Sequence, residues 1–232
     1  MKQSKGLFHR LKKSRAWLFA LLFGSILLLT NCQSQFDNIT NLDSGTGKQA
    51  IALGDSITAG YGLTPQQAYP SLLSKKLSLP ILNRGVSGDT TAMGLDRLHS
   101  DVIEEDPWLV IVGLGGNDFL RKVPKTETEQ NLRKIVASIQ ARGAIVVLLG
   151  MNLGLFKDEY KDLYQRVASD TGSYLIPQVL KGIIDDSRYR QEDIIHPNQA
   201  GQEILATRIA EALKSLLEKA TWPPELLKFR HP

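Results

Sequence analysis

The chain has 232 residues, 42% hydrophobic and 22% charged, with 19 Gly, 10 Pro and one Cys. That is globular composition: it excludes collagen, coiled coil and wholesale disorder, and a lone cysteine excludes an internal disulfide and any Cys/His zinc cluster. The net charge of +4 is concentrated in the first 31 residues, where Lys2, Lys5, Arg10, Lys12, Lys13 and Arg15 face no acid; the rest carries 22 basic against 24 acidic residues. A slightly acidic folded part is not a phosphate-tracking surface, so no nucleic-acid partner is expected.

In chain order, the basic start runs into an apolar stretch, Ala16 to Thr30, broken only by Gly24 and Ser25. A basic segment followed by an apolar run of this length is a secretory signal pattern, and it is short of the ~20 residues that a spanning helix needs. Leu29-Thr30-Asn31-Cys32 resembles a bacterial lipobox, although Asn31 stands where that pattern favours Gly, Ala or Ser. The resemblance implies lipidation of Cys32, which would become the mature N-terminus of a lipoprotein. An uncleaved N-terminal anchor and a plain signal peptide are the alternatives. All three export the domain, as a membrane-anchored or as a periplasmic or secreted protein. Residues 33–48 are polar and without period, so 32–48 reads as the lipidated Cys and a flexible tether. The folded domain is expected over 49–220 and a tail over 221–232.

From Gln49 strand and helix alternate. Ala50–Leu53 is a short apolar strand, Gln66–Leu77 a helix, Ile81–Val86 a strand interrupted by polar Asn83 and Arg84. Thr90–Glu105 reads as one helix with Met93, Leu95, Leu98, Val102 and Ile103 as its apolar stripe. Leu109–Val112 and Ala144–Leu149 are unbroken apolar runs, as in strands covered on both faces. Glu127–Arg142 is an amphipathic helix closed by Gly143, Tyr160–Ser169 is another, and the last starts near Asn198 with Leu205, Ile209, Leu213 and Leu216 on one side. The expected fold is α/β, a three-layer sandwich with a central parallel sheet and helices on both faces, in which ligands bind beyond the carboxyl ends of the strands.

Three strands end in polar clusters: Gly54-Asp55-Ser56, then Asn83 through Asp89, then Gly115-Gly116-Asn117-Asp118. Singly, each is ordinary turn composition; together they fall on one edge of the sheet. A serine nucleophile needs a base, usually histidine. His9 lies in the leader, His231 at the C-terminus and His99 within the helix after the second strand, which leaves His196. Pro197 disfavours helix at His196, placing the imidazole in a loop. Asp193, three residues back, is able to reach its ring as the orienting acid of a serine triad, although Asp-x-x-His-Pro is also a capping turn. Gly85, Asn117 and the Ser56 N–H are candidate donors for an oxyanion.

These four blocks, in order, resemble the SGNH hydrolases, also called the GDSL family, from Ala50 to the last helix. The run Asn83 to Thr91 and the run Gly115 to Arg121 bring the chain nearest the thioesterase I, arylesterase and lysophospholipase L1 group. The resemblance implies a flavodoxin-like fold, Ser56 as nucleophile, Gly85 and Asn117 as oxyanion donors, Asp193 and His196 completing the triad, and neither metal nor organic cofactor. It implies an esterase acting on carboxylic esters, thioesters or lysophospholipids, with a small ester or lipid as its partner; together with the leader, the expectation is an exported monomer that reaches a membrane through the leader or Cys32. The nucleophile elbow G-x-S-x-G of the other serine-hydrolase fold is absent, since Thr58 replaces the second Gly. Where the group carries a longer, proline-containing loop, this chain has Asn152 to Phe156; Leu153, Leu155 and Phe156 either line an acyl groove or staple onto the next helix. A carbohydrate O-acetyl esterase of the envelope and a non-catalytic lipid- or envelope-binding protein on the same fold are the rival functions.

Overall fold

Five short parallel strands form the centre of the computed structural model, which describes residues 36–151 and 159–230. The strands are β1 (Gln49–Gly54), β2 (Ile81–Gly85), β3 (Pro107–Gly113), β4 (Ile145–Leu149) and β5 (Tyr174–Ile176). Their order in the sheet is β2-β1-β3-β4-β5. Ile51, Leu53, Val110, Ile111 and Ile145 to Leu148 are fully buried, as the unbroken apolar runs require when helices cover both faces. At roughly 1.5–3 kcal/mol for each fully buried large aliphatic side chain, these strands supply a large share of the driving force for folding, alongside the buried faces of the helices. The three-residue β5 is too short to give a periodic signal in the sequence.

Seven α-helical segments accompany the sheet among the described residues: α1 (Ser56–Ala59), α2 (Tyr69–Leu77), α3 (Thr91–Asp96), α4 (Gly116–Leu120), α5 (Lys125–Gln140), α6 (Glu159–Thr171) and α7 (Gln199–Lys219). Helices α2 and α7 pack together, and α5 packs against α3 and α6. This is the expected sandwich. Helix α7 begins at its Asn198 cap and buries Leu205, Ile209, Leu213 and Leu216, in line with their spacing. The chain leaves β1 toward β2 on one side and β3 on the other, so the switch in strand order falls between β2, β1 and β3. Ligand crevices of such sheets lie at that point, outside the strand ends.

Two expected helices are broken. The Gln66–Leu77 helix splits into a 3₁₀ turn, Pro65–Gln67, and α2, with Ala68 extended at φ −66°, ψ 143° between them. Pro70 has no N–H to return to Gln66, so a continuous helix lacks a rung there. The Thr90–Glu105 helix splits at Arg97 (φ −95°, ψ 1°), beyond which His99–Ile103 forms a π turn. Arg97 is drawn inward, donating to Asp89 Oδ2 and Asp101 Oδ2 (both 2.6 Å) and to the carbonyls of Gly54 and Arg84. Leu98 and Val102 are buried, but Met93 is 45% exposed and is not part of a core stripe.

The domain boundaries also differ from those that composition suggests. The compact unit begins at Ile39. Within the expected tether, Thr40 N–H donates to Gly172 O (2.8 Å), Asn41 Nδ2 to Gln140 O (2.8 Å) and Ala144 O (3.0 Å), and Lys48 N–H to Asp106 O (2.7 Å). Polar side chains here satisfy backbone groups at the amino ends of the strands, so residues 39–48 are a strap and not a tether. The expected tail is likewise bound: Thr221 N–H donates to Leu42 O, and Trp222 packs on Trp108 at 4.6 Å. Cys32, with the leader, and Leu153, Leu155 and Phe156 lie outside the described residues. No described helix is long and apolar enough to cross a membrane.

At the opposite, carboxyl edge the domain buries polar residues. Asp118, fully buried, accepts from Thr91 N–H (2.8 Å), Thr91 Oγ1 (2.5 Å) and Thr128 Oγ1 (3.2 Å), pinning α3 and α5 to the end of β3. Asp55 is buried too, and its carboxyl accepts the Ile57 N–H at 3.0 Å. Burial, reinforced by the nearby Asp89 and Asp118 carboxylates against the Ile57 bond, pushes its pKa up to about 7 from 3.8.

Two outcomes follow. Asn41→Ala should lower unfolding stability by about 1–3 kcal/mol, because the carbonyls of Gln140 and Ala144 each lose one hydrogen bond; urea midpoints measure it. An acid that binds its proton more tightly when folded stabilises the fold below its unfolded pKa and loses that stability as pH rises through the folded one. Asp55 should therefore cost the protein about 2–3 kcal/mol between pH 5 and 8. Asp55→Asn, which keeps the acceptor for Ile57 N–H, should flatten that slope in denaturation midpoints across the range.

Candidate active site

The register of the sheet assembles the site. Gly54 of β1 pairs with Gly85 of β2 on one side and Gly113 of β3 on the other, so three glycines end three adjacent strands on one line. The segments that follow, Asp55-Ser56, Val86 to Asp89 and Leu114 to Asn117, therefore leave the sheet side by side.

After β1 the chain turns at once into α1. Asp55 caps it through the Ile57 N–H, and Ser56 is its first residue. Two side chains from elsewhere hold this turn. Asn83 Nδ2 donates to Thr58 O (2.9 Å), which explains a polar residue inside β2. Gln202, buried in the first turn of α7, donates to Ile57 O (3.0 Å) while its Oε1 accepts the Tyr69 N–H (2.8 Å). Neither supporting role follows from a sequence motif; a polar side chain in a strand and one on the buried face of a helix are the signals that point to them.

The last loop brings the base. An antiparallel bridge between Arg190 and Pro197 closes it, with Gln191 N–H donating to His196 O (2.7 Å). Ile194 takes φ +65°, a conformation that costs a β-branched residue of order 1–2 kcal/mol. That reversal lets Asp193 Oδ1 accept the N–H groups of Ile195 (3.1 Å) and His196 (3.0 Å), while Oδ2 lies 2.6 Å from His196 Nδ1. Partial burial raises the Asp193 pKa, but the His196 ring and the two N–H donors outweigh it and hold the carboxyl below its ordinary range. An ionised Asp193 accepts only, so Nδ1 carries the proton and Nε2 has its lone pair free. Nε2 lies 2.8 Å from Ser56 Oγ, positioned to accept the hydroxyl proton across 140 residues of sequence. His99, by contrast, is exposed beside Glu104.

Asn117 comes from α4, after β3. One of its amide protons goes to Asp89 O (2.9 Å), leaving the second free, since a primary amide has two. Asn117 lines a small cavity together with Ser56, His196, Asp55, Ile57, Gly116, Leu120 and Ile195. Gly85 differs from expectation. Its N–H donates to Asn83 Oδ1 (2.9 Å), so the donor is spent within β2. A Cβ there would run into the backbone of Thr58 and Ala59: the glycine is needed for the close approach of α1 and not for an open donor. Among the described residues no group of three or more His, Cys, Asp or Glu is arranged to hold a metal ion.

The GDSL-like lipase/acylhydrolase family matches residues 52–204. The chain is 34% identical over 201 residues to esterase TesA of Pseudomonas aeruginosa, covering 82% of this chain and 98% of that protein. It is 32% identical over 174 residues to thioesterase 1/protease 1/lysophospholipase L1 of Escherichia coli strain K12, covering 72% and 84% respectively. A crystal structure of TesA superposes with a TM-score of 0.68 at 34% identity, over 72% of this chain and 99% of that one. With the four sequence blocks gathered at the carboxyl edge of a five-stranded parallel sheet, the chain belongs to the GDSL, or SGNH, family of hydrolases acting on ester bonds.

Proposed function

We propose that this protein is an exported serine esterase, tethered to a membrane through its leader or a lipidated Cys32, that cleaves carboxylic esters or thioesters through an acyl-Ser56 intermediate. The observation that carries the chemistry is the chain of contacts Ser56 Oγ to His196 Nε2 (2.8 Å) and His196 Nδ1 to Asp193 Oδ2 (2.6 Å). The basic start and apolar run that end at Cys32 support the localisation.

In this mechanism Ser56 Oγ attacks the carbonyl carbon as His196 Nε2 takes its proton. The carbonyl π electrons move to oxygen, and Asp193 stabilises the imidazolium. The tetrahedral intermediate collapses when His196 returns the proton to the leaving alcohol or thiol. Water then repeats the sequence against the acyl-serine, releasing the acid. Donors for the oxyanion are the Ser56 N–H and the free N–H of Asn117. The third falls to Gly88, in place of Gly85: its turn is clamped by Asn117 on Asp89 O and by Arg121 Nη2 on Gly88 O (2.7 Å), and its φ of +90° suits glycine.

Ser56→Ala should leave a folded protein with p-nitrophenyl ester turnover reduced to background, and a fluorophosphonate should label Ser56; full activity in the variant would remove this nucleophile. Asn117→Ala should lower kcat by about 10²–10³, the usual loss for one oxyanion donor, and Gly88→Ala should lower it as well; an unchanged kcat in either variant removes that donor from the hole. Activity should fall on acidification as the base is protonated, and Asp193, held below the usual carboxylate range, should not contribute to that fall.

Leu120 and Ile195 in the cavity wall, with the exposed Ile194 next to Ile195 in the chain and the exposed Val86 just beyond the end of β2, favour an acyl chain over a sugar. Hydrolysis rates for octanoyl esters should exceed those for acetyl esters. A sharp preference for acetyl would favour a carbohydrate deacetylase, and absence of turnover on every ester tested would favour a binding protein.

A further inference from the structure

Tyr61, five residues after Ser56, lies with its ring centroid 4.5 Å from that of His196 and the two planes inclined by 34°. Half of its surface is open to solvent, so it is not there to fill the core. Its backbone is fixed on both sides. Gly60 and Gly62 flank it at φ +79° and +74°, a pair of left-handed positions that side chains avoid. The Tyr61 N–H donates to Ser56 O (3.0 Å), and its carbonyl accepts from Gln191 Nε2 (2.7 Å), which also donates to Pro197 O (3.1 Å). Gln191 thus clasps the nucleophile turn to the loop that carries the base, and the Tyr61 ring lies in that clasp against the imidazole.

The loop has need of such a support. It has no regular structure beyond one bridge and holds a strained Ile194. Asp193 fixes the imidazole at Nδ1 and Ser56 meets it at Nε2, but those in-plane contacts leave the ring free to tilt about the axis joining them. A flat aromatic surface on one face removes that freedom. We propose that Tyr61 is a positioning residue of this site, backing the His196 imidazole so that Nε2 stays on the Ser56 hydroxyl, and favouring the imidazolium that forms when the serine proton arrives. A cation 4.5 Å from a ring centroid is within the range of attraction by the ring quadrupole. Among the described residues, the ionisable groups around the imidazole are Asp193 at Nδ1, Ser56 at Nε2, Tyr61 on its face and Asp55 in the wall of the same cavity. The role of Tyr61 rests on Ser56 and His196 being the reacting pair.

The experiment compares Tyr61→Ala, Tyr61→Phe and Ser56→Ala on a small soluble p-nitrophenyl ester, with melting temperatures recorded for each. Loss of the ring should lower kcat about fivefold or more, leave KM within about twofold, and move the acid-side fall of activity to lower pH, because the charged imidazole has lost a stabilising neighbour. Tyr61→Phe, which keeps the ring, should match the unaltered protein in all three. Should Tyr61→Ala fail to fold, Tyr61→Leu keeps much of the volume without the π face and carries the same readouts. A raised KM at unchanged kcat would make Tyr61 a substrate contact and overturn the proposal. A loss of kcat with an unmoved acid limb would make it merely structural, and would overturn the proposal equally. If Ser56→Ala retains activity, the reacting pair itself is wrong and the role of Tyr61 falls with it; if Ser56→Ala is inactive, the Tyr61 results stand or fail separately.

Discussion

Everything chemical in this molecule depends on the in-register ending of three parallel strands. Gly54, Gly85 and Gly113 sit abreast, and none has a Cβ to keep the following turns apart. A parallel ladder fixes register through evenly spaced hydrogen bonds, and β1, β3 and β4, buried on both faces, make any slip expensive, since a one-residue shift would exchange side chains between two close-packed faces of different shape. The apolar core therefore does more than stabilise: it sets the line from which Ser56 and Asn117 depart. His196 is delivered separately, by the loop that leads into α7.

Around that line the protein uses polar side chains as rivets. Asn83 and Gln202 bind backbone carbonyls of the nucleophile turn from two directions, Arg97 ties the carbonyls of Gly54 and Arg84 to Asp89 and Asp101, and Asp118 gathers two threonines. Each bond is modest in net energy, but leaving a buried partner unsatisfied costs about 1–3 kcal/mol, so the set resists partial loosening. The result is a stiff floor beneath the serine, with the more irregular 190–197 loop laid across it. Asp55 is the exception in this set: a buried acid beside the nucleophile, its pKa raised by burial more than its bond to the Ile57 N–H lowers it, a local cost carried where the site is built.

The two ends of the sheet are used differently. The amino ends are closed by the strap over residues 39–48 and by Thr221 and Trp222, whereas the carboxyl ends are open and hold the chemistry. Because the strap is bonded to the turns before β3 and β4, it lies at the edge of the sheet far from Ser56.

Much of this is readable in the sequence. Apolar runs mark β1, β3 and β4; Asn198 and the Leu205-Ile209-Leu213-Leu216 spacing mark α7; the Gly-Asp-Ser, Asn-Asp and Asp-x-x-His blocks mark residues that the fold brings within hydrogen-bonding distance or into one cavity. These are local signals, written in periodicity and in the few residue types able to do a given job. The break at Arg97, the bound strap in place of a tether, the engagement of the Gly85 N–H by Asn83 and the stacking of Tyr61 on His196 are not readable there. Each depends on a partner distant along the chain or on backbone geometry that composition does not encode. Sequence determined which groups were available and which strands would be buried; the three-dimensional fold decided which donors remained free and which faces met, because hydrogen-bond satisfaction and close packing are settled only when distant segments come together.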